Sequence, residues 1–216
     1  MSFTSGISYD NIVMKPDMLF AIGSVTKNVV AELTLKLAEE NILSLDDPIS
    51  KWLPIYANVD SAITIRQLLN HTSGLYMFCN NQNIWDDLKK DRSRVWKPEE
   101  VLAYIKQPYF VPGNGWRYSN TNYLLLAMII TKSTGSTLST EFSNRFWKPL
   151  GIDHAYLSMK DSIPDVHAHV FGDNFNFGYP TTDLTFLPRA SHESITRFLR
   201  DFYYCYEFSK LVPCIV

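Results

Sequence analysis

The stretch GSVTKNVVAEL, residues 23–33, sets a serine at the mouth of an apolar helix and a lysine three places on. Positions i and i+3 of a helix share a face, so the spacing predicts that the Ser24 hydroxyl and the Lys27 amine lie within reach of each other. A serine hydroxyl is a poor nucleophile until a base takes its proton, and a lysine whose pKa is lowered by partial burial can be that base. A helix N-terminus adds positive potential and a backbone N–H able to face a developing oxyanion. The plainer reading makes Ser24 an N-cap and Lys27 a solvated side chain, and S-x-x-K alone favours it. Against it, no other serine of the chain has a lysine at this spacing.

A second element of such chemistry would be a Tyr and an Asn two apart on a facing loop. The chain offers Tyr9-Asp10-Asn11, Tyr56-Ala57-Asn58 and Tyr118-Ser119-Asn120, so Y-x-N is unspecific by itself. Context separates them. Tyr118 follows a Pro112-Gly113 turn and directly precedes a strongly apolar helix, so its loop is anchored on both sides. Tyr56 sits in a surface connection and Tyr9 in a loose N-terminus. His71, in HTSG, reads as a structural residue at a helix end. His167 and His169 have no grouping that suggests a metal, and Trp116 reads as a packing residue with cleft lining as the alternative. Cys79, Cys205 and Cys214 lack CxxC or Cys/His ligand spacing and read as free thiols, with one disulfide left open.

These residues need elements to hold them. Apolar positions Val25, Val29, Val30, Leu33 and Leu37 recur at threes and fours from Ser24 and fade at Asn41, which predicts a helix. LDDPISKWLP reads as a short helix capped by Asp46 or Asp47 with Pro48 in its first turn. ITIRQLLNHTSGL reads as another, capped at Thr64 and stopped by Gly74. Residues 76–96 are polar and Trp/Asn-rich and read as a long connection bordering a cleft. KPEEVLAYIKQ opens with Pro98 and acids suited to a helix N-terminus. After the turn cluster VPGNGWRYSN come TNYLLLAMIITKSTG, a helix ended by Gly135, and TLSTEFSNRFWKPLG, one more helix. From about residue 155 helical periodicity gives way to short mixed segments, and ESITRFLRDFYYCY is the last helical candidate.

At 216 residues the chain suits one domain or one and a half. A formal charge of −2, with scattered Lys and Arg, gives no electrostatic case for nucleic acid. The first ten residues show no export signal, and the longest apolar run is too short to span a bilayer, so no transmembrane segment is expected.

Four blocks stand in order: LFAIGSVTKNVVAELTLKLAEENILSLDDPISKWLP, ITIRQLLNHTSGL, PGNGWRYSNTNYLLLAMIITKSTG and WKPLGI. Together they resemble the serine beta-lactamase and penicillin-binding superfamily, in the branch of D-alanyl-D-alanine carboxypeptidases, class C beta-lactamases and related esterases. The resemblance implies that Ser24 is the acylated nucleophile and Lys27 the lysine assisting its deprotonation. It makes Tyr118 the tyrosine that passes a proton to the leaving group. Asn120 becomes the asparagine that holds Lys27 and the substrate amide. It implies no metal or organic cofactor, and a small-molecule or peptide substrate: D-Ala-D-Ala peptides, beta-lactams or small esters. Relatives of this type commonly work in the periplasm or outside the cell, which leaves the compartment of this chain open.

The resemblance also sets expectations that the chain meets poorly. The superfamily carries a third motif, K-[ST]-G or H-x-G, on a late strand that anchors the substrate carboxylate. No such triplet follows Tyr118, and Lys132-Ser133-Thr134-Gly135 has one residue too many and sits at a helix end. Losing an oxyanion donor typically costs ~10²–10³ in rate, and losing a charge-assisted anchor costs ~1.5–3 kcal/mol. The expected fold is α+β, beta-lactamase/transpeptidase-like, represented here mostly by its helical subdomain with much of the central antiparallel sheet missing. Residues 1–172 would form a partial beta-lactamase-like domain and 173–216 a divergent segment, truncated or frameshifted. Uncovered apolar faces would then favour self-association. The rival expectation is a non-catalytic remnant that binds ligand weakly or associates with another chain.

Overall fold

A computed structural model describes residues 5–6, 13–15, 24–91, 96–153 and 155–157. The element at its centre is α5 (Asn120–Thr134), whose residues 120–126, 129 and 130 are all buried. A helix apolar on every side is stable only when other elements surround it. Here α1 (Val25–Glu39), α2 (Ile65–Leu69), α4 (Pro98–Leu102) and α6 (Leu138–Phe142) all pack on α5. Leu33, Leu37, Ile65, Leu68, Leu125 and Ile129 are fully buried in the shared core. Gly135, at φ 67°, ends α5 as expected, in the left-handed conformation that favours glycine.

The buried stripe of α1 is Lys27, Val30, Leu33, Thr34 and Leu37. Val25, counted from sequence as part of the apolar face, is 56% exposed because two residues before Lys27 lies on the other side of the helix. The helix closes where its periodicity fades, with Asn41 at φ 57° and Ile42 N–H bonded to the Leu37 carbonyl at 3.0 Å.

Three expectations for the elements between α1 and α4 are corrected. Instead of a short helix in LDDPISKWLP, one 3₁₀ turn forms over Ile49–Lys51. Pro48 is extended and bridges Thr64, and the pre-proline residue Leu53 resists continuing a helix toward Pro54. Asp47 accepts from Ser44 N–H, Lys51 Nζ and Trp52 Nε1, which ties the turn together. The helix capped at Thr64 has the expected capping box with Gln67, but it ends at Leu69, well before Gly74, with His71 at φ 61°. Residues 76–96 are not a plain connection. A 3₁₀ turn (Phe78–Asn80) leads into α3 (Gln82–Lys90), capped by the Asn81 side chain. Its three apolar residues, Ile84 buried and Trp85 and Leu88 half-buried, share one face at helical spacing, a short pattern that the polar composition of the stretch outweighs in the sequence.

Pro98 and Glu99–Glu100 open α4 as expected, and Glu100 accepts from the Lys97 N–H at 2.7 Å. The last expected helix is interrupted. After α6 comes a π turn (Ser143–Trp147), then α7 (Lys148–Leu150) and Gly151 at φ 64°. Pro149 cannot donate to the Arg145 carbonyl and its ring crowds that group, which a wider turn relieves.

Among the described residues the secondary structure is helical, apart from bridge positions at Val13 and at the Pro48–Thr64 pair. No described helix is long and apolar enough to cross a membrane. The expectations for Tyr9, His167, His169, Cys205, Cys214, the ESITRFLRDFYYCY segment and the 172/173 boundary lie outside the described residues.

Candidate active site

Ser24 stands at the head of α1, with Lys27 one turn along. Its side chain makes no capping bond. Instead Ser24 Oγ lies 2.6 Å from Tyr118 Oη and accepts from Lys27 Nζ at 3.0 Å. The plainer reading of this pair therefore fails on both counts: Ser24 does not cap, and Lys27 is 8% exposed rather than solvated. The lysine ammonium lies 5.2 Å from the Tyr118 ring centroid and 5.6 Å from that of Tyr123, so its surroundings are aromatic.

Of the two Y-x-N candidates among the described residues, Tyr118 is the one hydrogen-bonded to Ser24. Asn58 instead donates its amide to the Ile105 carbonyl at 3.0 Å, tying a turn to the chain after α4. Asn120 is fully buried at the first position of α5 and directs its amide at Cys79 Sγ, 3.6 Å away.

Two devices fix the loop that carries Tyr118. The first is a set of backbone bonds between residues 71–74 and 109–117: Tyr109 N–H to the Gly74 carbonyl at 2.8 Å, Gly113 N–H to Thr72 at 2.8 Å, and Arg117 N–H to His71 at 3.0 Å. The segments approach so closely at Gly74 (φ 74°) that a Cβ there would run into the Phe110 carbonyl oxygen.

The second device is a run of buried polar residues, Ser119 to Asn122, each 0% exposed. Burying such groups costs unless they find partners. The Thr121 hydroxyl donates to the Tyr76 carbonyl at 2.7 Å and accepts from Phe78 N–H at 3.3 Å. Asn122 Oδ1 accepts from Ser73 Oγ at 2.6 Å, and the neighbouring Tyr123 hydroxyl donates to the Leu69 carbonyl at 3.1 Å. The start of α5 is thus locked to residues 69–78, and Tyr118 and Asn120 with it.

His71 is where sequence reasoning came short. It does end a helix, as read, but its ring also packs on Tyr118 (centroids 4.7 Å apart) and Tyr123 (5.3 Å), with Trp116 edge-on at 6.2 Å. Nδ1 receives Ser119 N–H at 3.2 Å and lies 2.9 Å from the Asn122 amide nitrogen. Burial, and then the Lys27 charge, push its pKa down to about 4, so the ring is neutral at ordinary pH. Asn122 and Ser73 were not singled out from sequence at all. The available signal was polar residues in TNY opening an otherwise apolar helix. Trp116, read as packing, is 68% exposed.

Chemically, the arrangement offers a hydroxyl between an amine and a phenol, both within proton-transfer distance, in a partly enclosed aromatic setting. Among the described residues no group of three or more His, Cys, Asp or Glu could hold a metal ion.

With that geometry in view, known proteins give the context. The chain is 29% identical over 170 residues to penicillin-binding protein 4* of Bacillus subtilis, a match covering 77% of this chain and 35% of that protein. It is 32% identical over 151 residues to the esterase EstB of Burkholderia gladioli, covering 64% of this chain and 38% of the esterase. In structure it resembles a D-stereospecific amidohydrolase from Streptomyces sp., with TM-score 0.71 and 31% identity over 92% of this chain and 64% of that one. The chain thus spans little more than a third of the length of these two curated relatives. The structural likeness gives it a beta-lactamase/transpeptidase-like fold. The beta-lactamase family model matches residues 7–199, most of the sequence, and this chain therefore belongs to that family, within the serine beta-lactamase and penicillin-binding superfamily.

Proposed function

We propose that this protein is a serine acyl-transfer hydrolase working through an acyl-Ser24 intermediate. The observation that carries the reading is the Lys27–Ser24–Tyr118 chain, at 3.0 and 2.6 Å. Lys27, or Lys27 with Tyr118, takes the Ser24 proton as Oγ attacks a carbonyl carbon. Tyr118 returns a proton to the departing amine or alkoxide. In the family pattern Asn120 holds Lys27 and the substrate amide, for which its amide, here on Cys79 Sγ, must be released; water then releases the acyl group from Ser24. The substrates are D-Ala-D-Ala peptides, beta-lactams or small esters. The relatives' names support this range, since they speak of penicillin binding, ester chemistry and D-stereospecific amide hydrolysis.

Intact-mass measurement after incubation with a penicillin or a p-nitrophenyl ester tests it. A single acyl adduct on the wild type, absent from Ser24→Ala, is the expected result. No adduct on the wild type, or an adduct that survives Ser24→Ala, would overturn it.

The second reading is a binding module of the same fold without turnover, represented by the helical subdomain with little of the central sheet. It is favoured by Asn120, fully buried with its amide on Cys79 Sγ. Steady-state hydrolysis lost in Lys27→Ala would rule it out.

A further inference from the structure

His71 engages three consecutive residues of the Tyr118 loop at once. Its carbonyl accepts the Arg117 N–H at 3.0 Å, its ring lies 4.7 Å from the Tyr118 ring at 37°, and its Nδ1 receives the Ser119 N–H at 3.2 Å. A backbone N–H can only donate, so Nδ1 must be the acceptor and, in the neutral ring, the proton belongs on Nε2. The neighbouring network agrees. The Ser73 hydroxyl, 2.6 Å from Asn122 Oδ1, can satisfy that amide oxygen only by donating, which turns the Asn122 NH₂ toward Nδ1 at 2.9 Å. The chain Ser73–Asn122–His71 is buried throughout, and His71 is held in it at φ 61°, a conformation uncommon for a residue with a Cβ. The left-handed backbone closes α2, with Thr72 N–H on the Gln67 carbonyl at 3.0 Å and His71 N–H on that of Leu68 at 3.4 Å, and this fixed turn carries the ring, in its dictated tautomer, onto the Tyr118 loop.

We propose that His71 is a positioning residue for Tyr118, holding the phenol hydroxyl on Ser24 through its Nδ1 acceptor and its ring face. The proposal rests on the reading of Tyr118 as the proton carrier at Ser24. The ring feels the Lys27 charge of α1 and is packed against Tyr123 of α5 and Tyr118 and Trp116 of the loop. The depressed pKa of His71 is in keeping with an acceptor that stays unprotonated beside Lys27. A proton on Nδ1 would turn it into a third donor facing the Ser119 and Asn122 donors and release the loop from both.

Three full-length proteins test this: wild type, His71→Phe and His71→Asn. Phenylalanine keeps a ring but no acceptor. Asparagine sets Oδ1 where Nδ1 was and tolerates the left-handed backbone. With a p-nitrophenyl ester, His71→Phe should lower the acylation rate constant by ~10–100-fold with little change in ester binding, the signature of a misplaced group. His71→Asn should restore most of the rate. Equal rates in wild type and His71→Phe would overturn the proposal, as would an Asn variant no better than Phe.

Two measurements do not depend on turnover. Nitrogen-15 NMR of wild-type histidines should show His71 with an unprotonated Nδ1 and a protonated Nε2 at neutral pH; a proton on Nδ1 overturns the proposal. Amide hydrogen exchange followed by NMR should show the Ser119 N–H less protected in His71→Phe and protected again in His71→Asn; unchanged protection in His71→Phe overturns it. If the wild type forms no acyl adduct, the acyl-Ser24 reading falls while these spectra still decide the role of His71.

Discussion

Tyr118 brings its hydroxyl to 2.6 Å from Ser24 Oγ, and Tyr118→Phe removes that one oxygen while keeping the ring on His71. General acid–base groups contribute ~10²–10⁴ in rate, so acylation of Ser24 should slow by about that factor in Tyr118→Phe, read by stopped-flow with an activated ester. Unchanged acylation would remove Tyr118 from the proton path. His71 gives a second prediction at this scale. Its pKa falls from an ordinary 6.5 to about 4 on folding, so between those values the unfolded chain binds a proton that the folded chain does not. The contribution is therefore fully present above about pH 6.5 and is lost as pH falls toward 4, by on the order of 3 kcal/mol. Urea unfolding across that range should show the loss, and His71→Asn, which has nothing to titrate, should flatten that part of the slope. A wild-type slope identical to that of the variant would contradict it. At the residue scale the sequence made Ser24, Lys27, Tyr118 and Asn120 legible because types and spacing carry their chemistry. Asn122 and Ser73 were hidden, because a buried hydrogen bond between residues 49 positions apart leaves no local trace.

The elements matter here through how they end. α2 stops at Leu69, and the freed residues 71–75 run beside the 109–117 loop, with Gly74 at the tightest point. Gly74→Ala meets two penalties, a left-handed backbone at ~1–2 kcal/mol and a Cβ against the Phe110 carbonyl. Stability should fall by at least the first of these, seen as a lower midpoint in thermal unfolding. Ser24 acylation should fall further than the stability loss alone explains, since the same approach carries Tyr118. A Gly74→Ala protein as stable and as reactive as wild type would show that the loop is anchored elsewhere. The helices α1, α4 and α5 were legible from caps and periodicity. α3 and the π turn were not: the first has few apolar anchors, and the second answers a backbone conflict at Pro149 rather than a pattern of side chains.

For the whole molecule, α5 is both the core and the support of the site. Leu125 is fully buried within it, on a helix whose first turn is bonded to residues 69–78. Leu125→Ala should cost ~2–5 kcal/mol, measurable in urea, through lost transfer free energy and the cavity left behind. Because Tyr118 and Asn120 are set by the same helix, acylation should fall alongside stability. A variant destabilised this far with full acylation would separate core from site.

The sequence by itself determined family, the order of the blocks and the chief helices, and it nominated the groups proposed to react, since each is written in residue types at short spacing. Only the tertiary structure decided which Y-x-N reaches Ser24, that Lys27 is buried, and that His71 faces Tyr118. Those depend on chain segments from 24 to 122 meeting around one helix, and the pairing of distant buried polar groups is fixed by the shape they share rather than by any pattern within each.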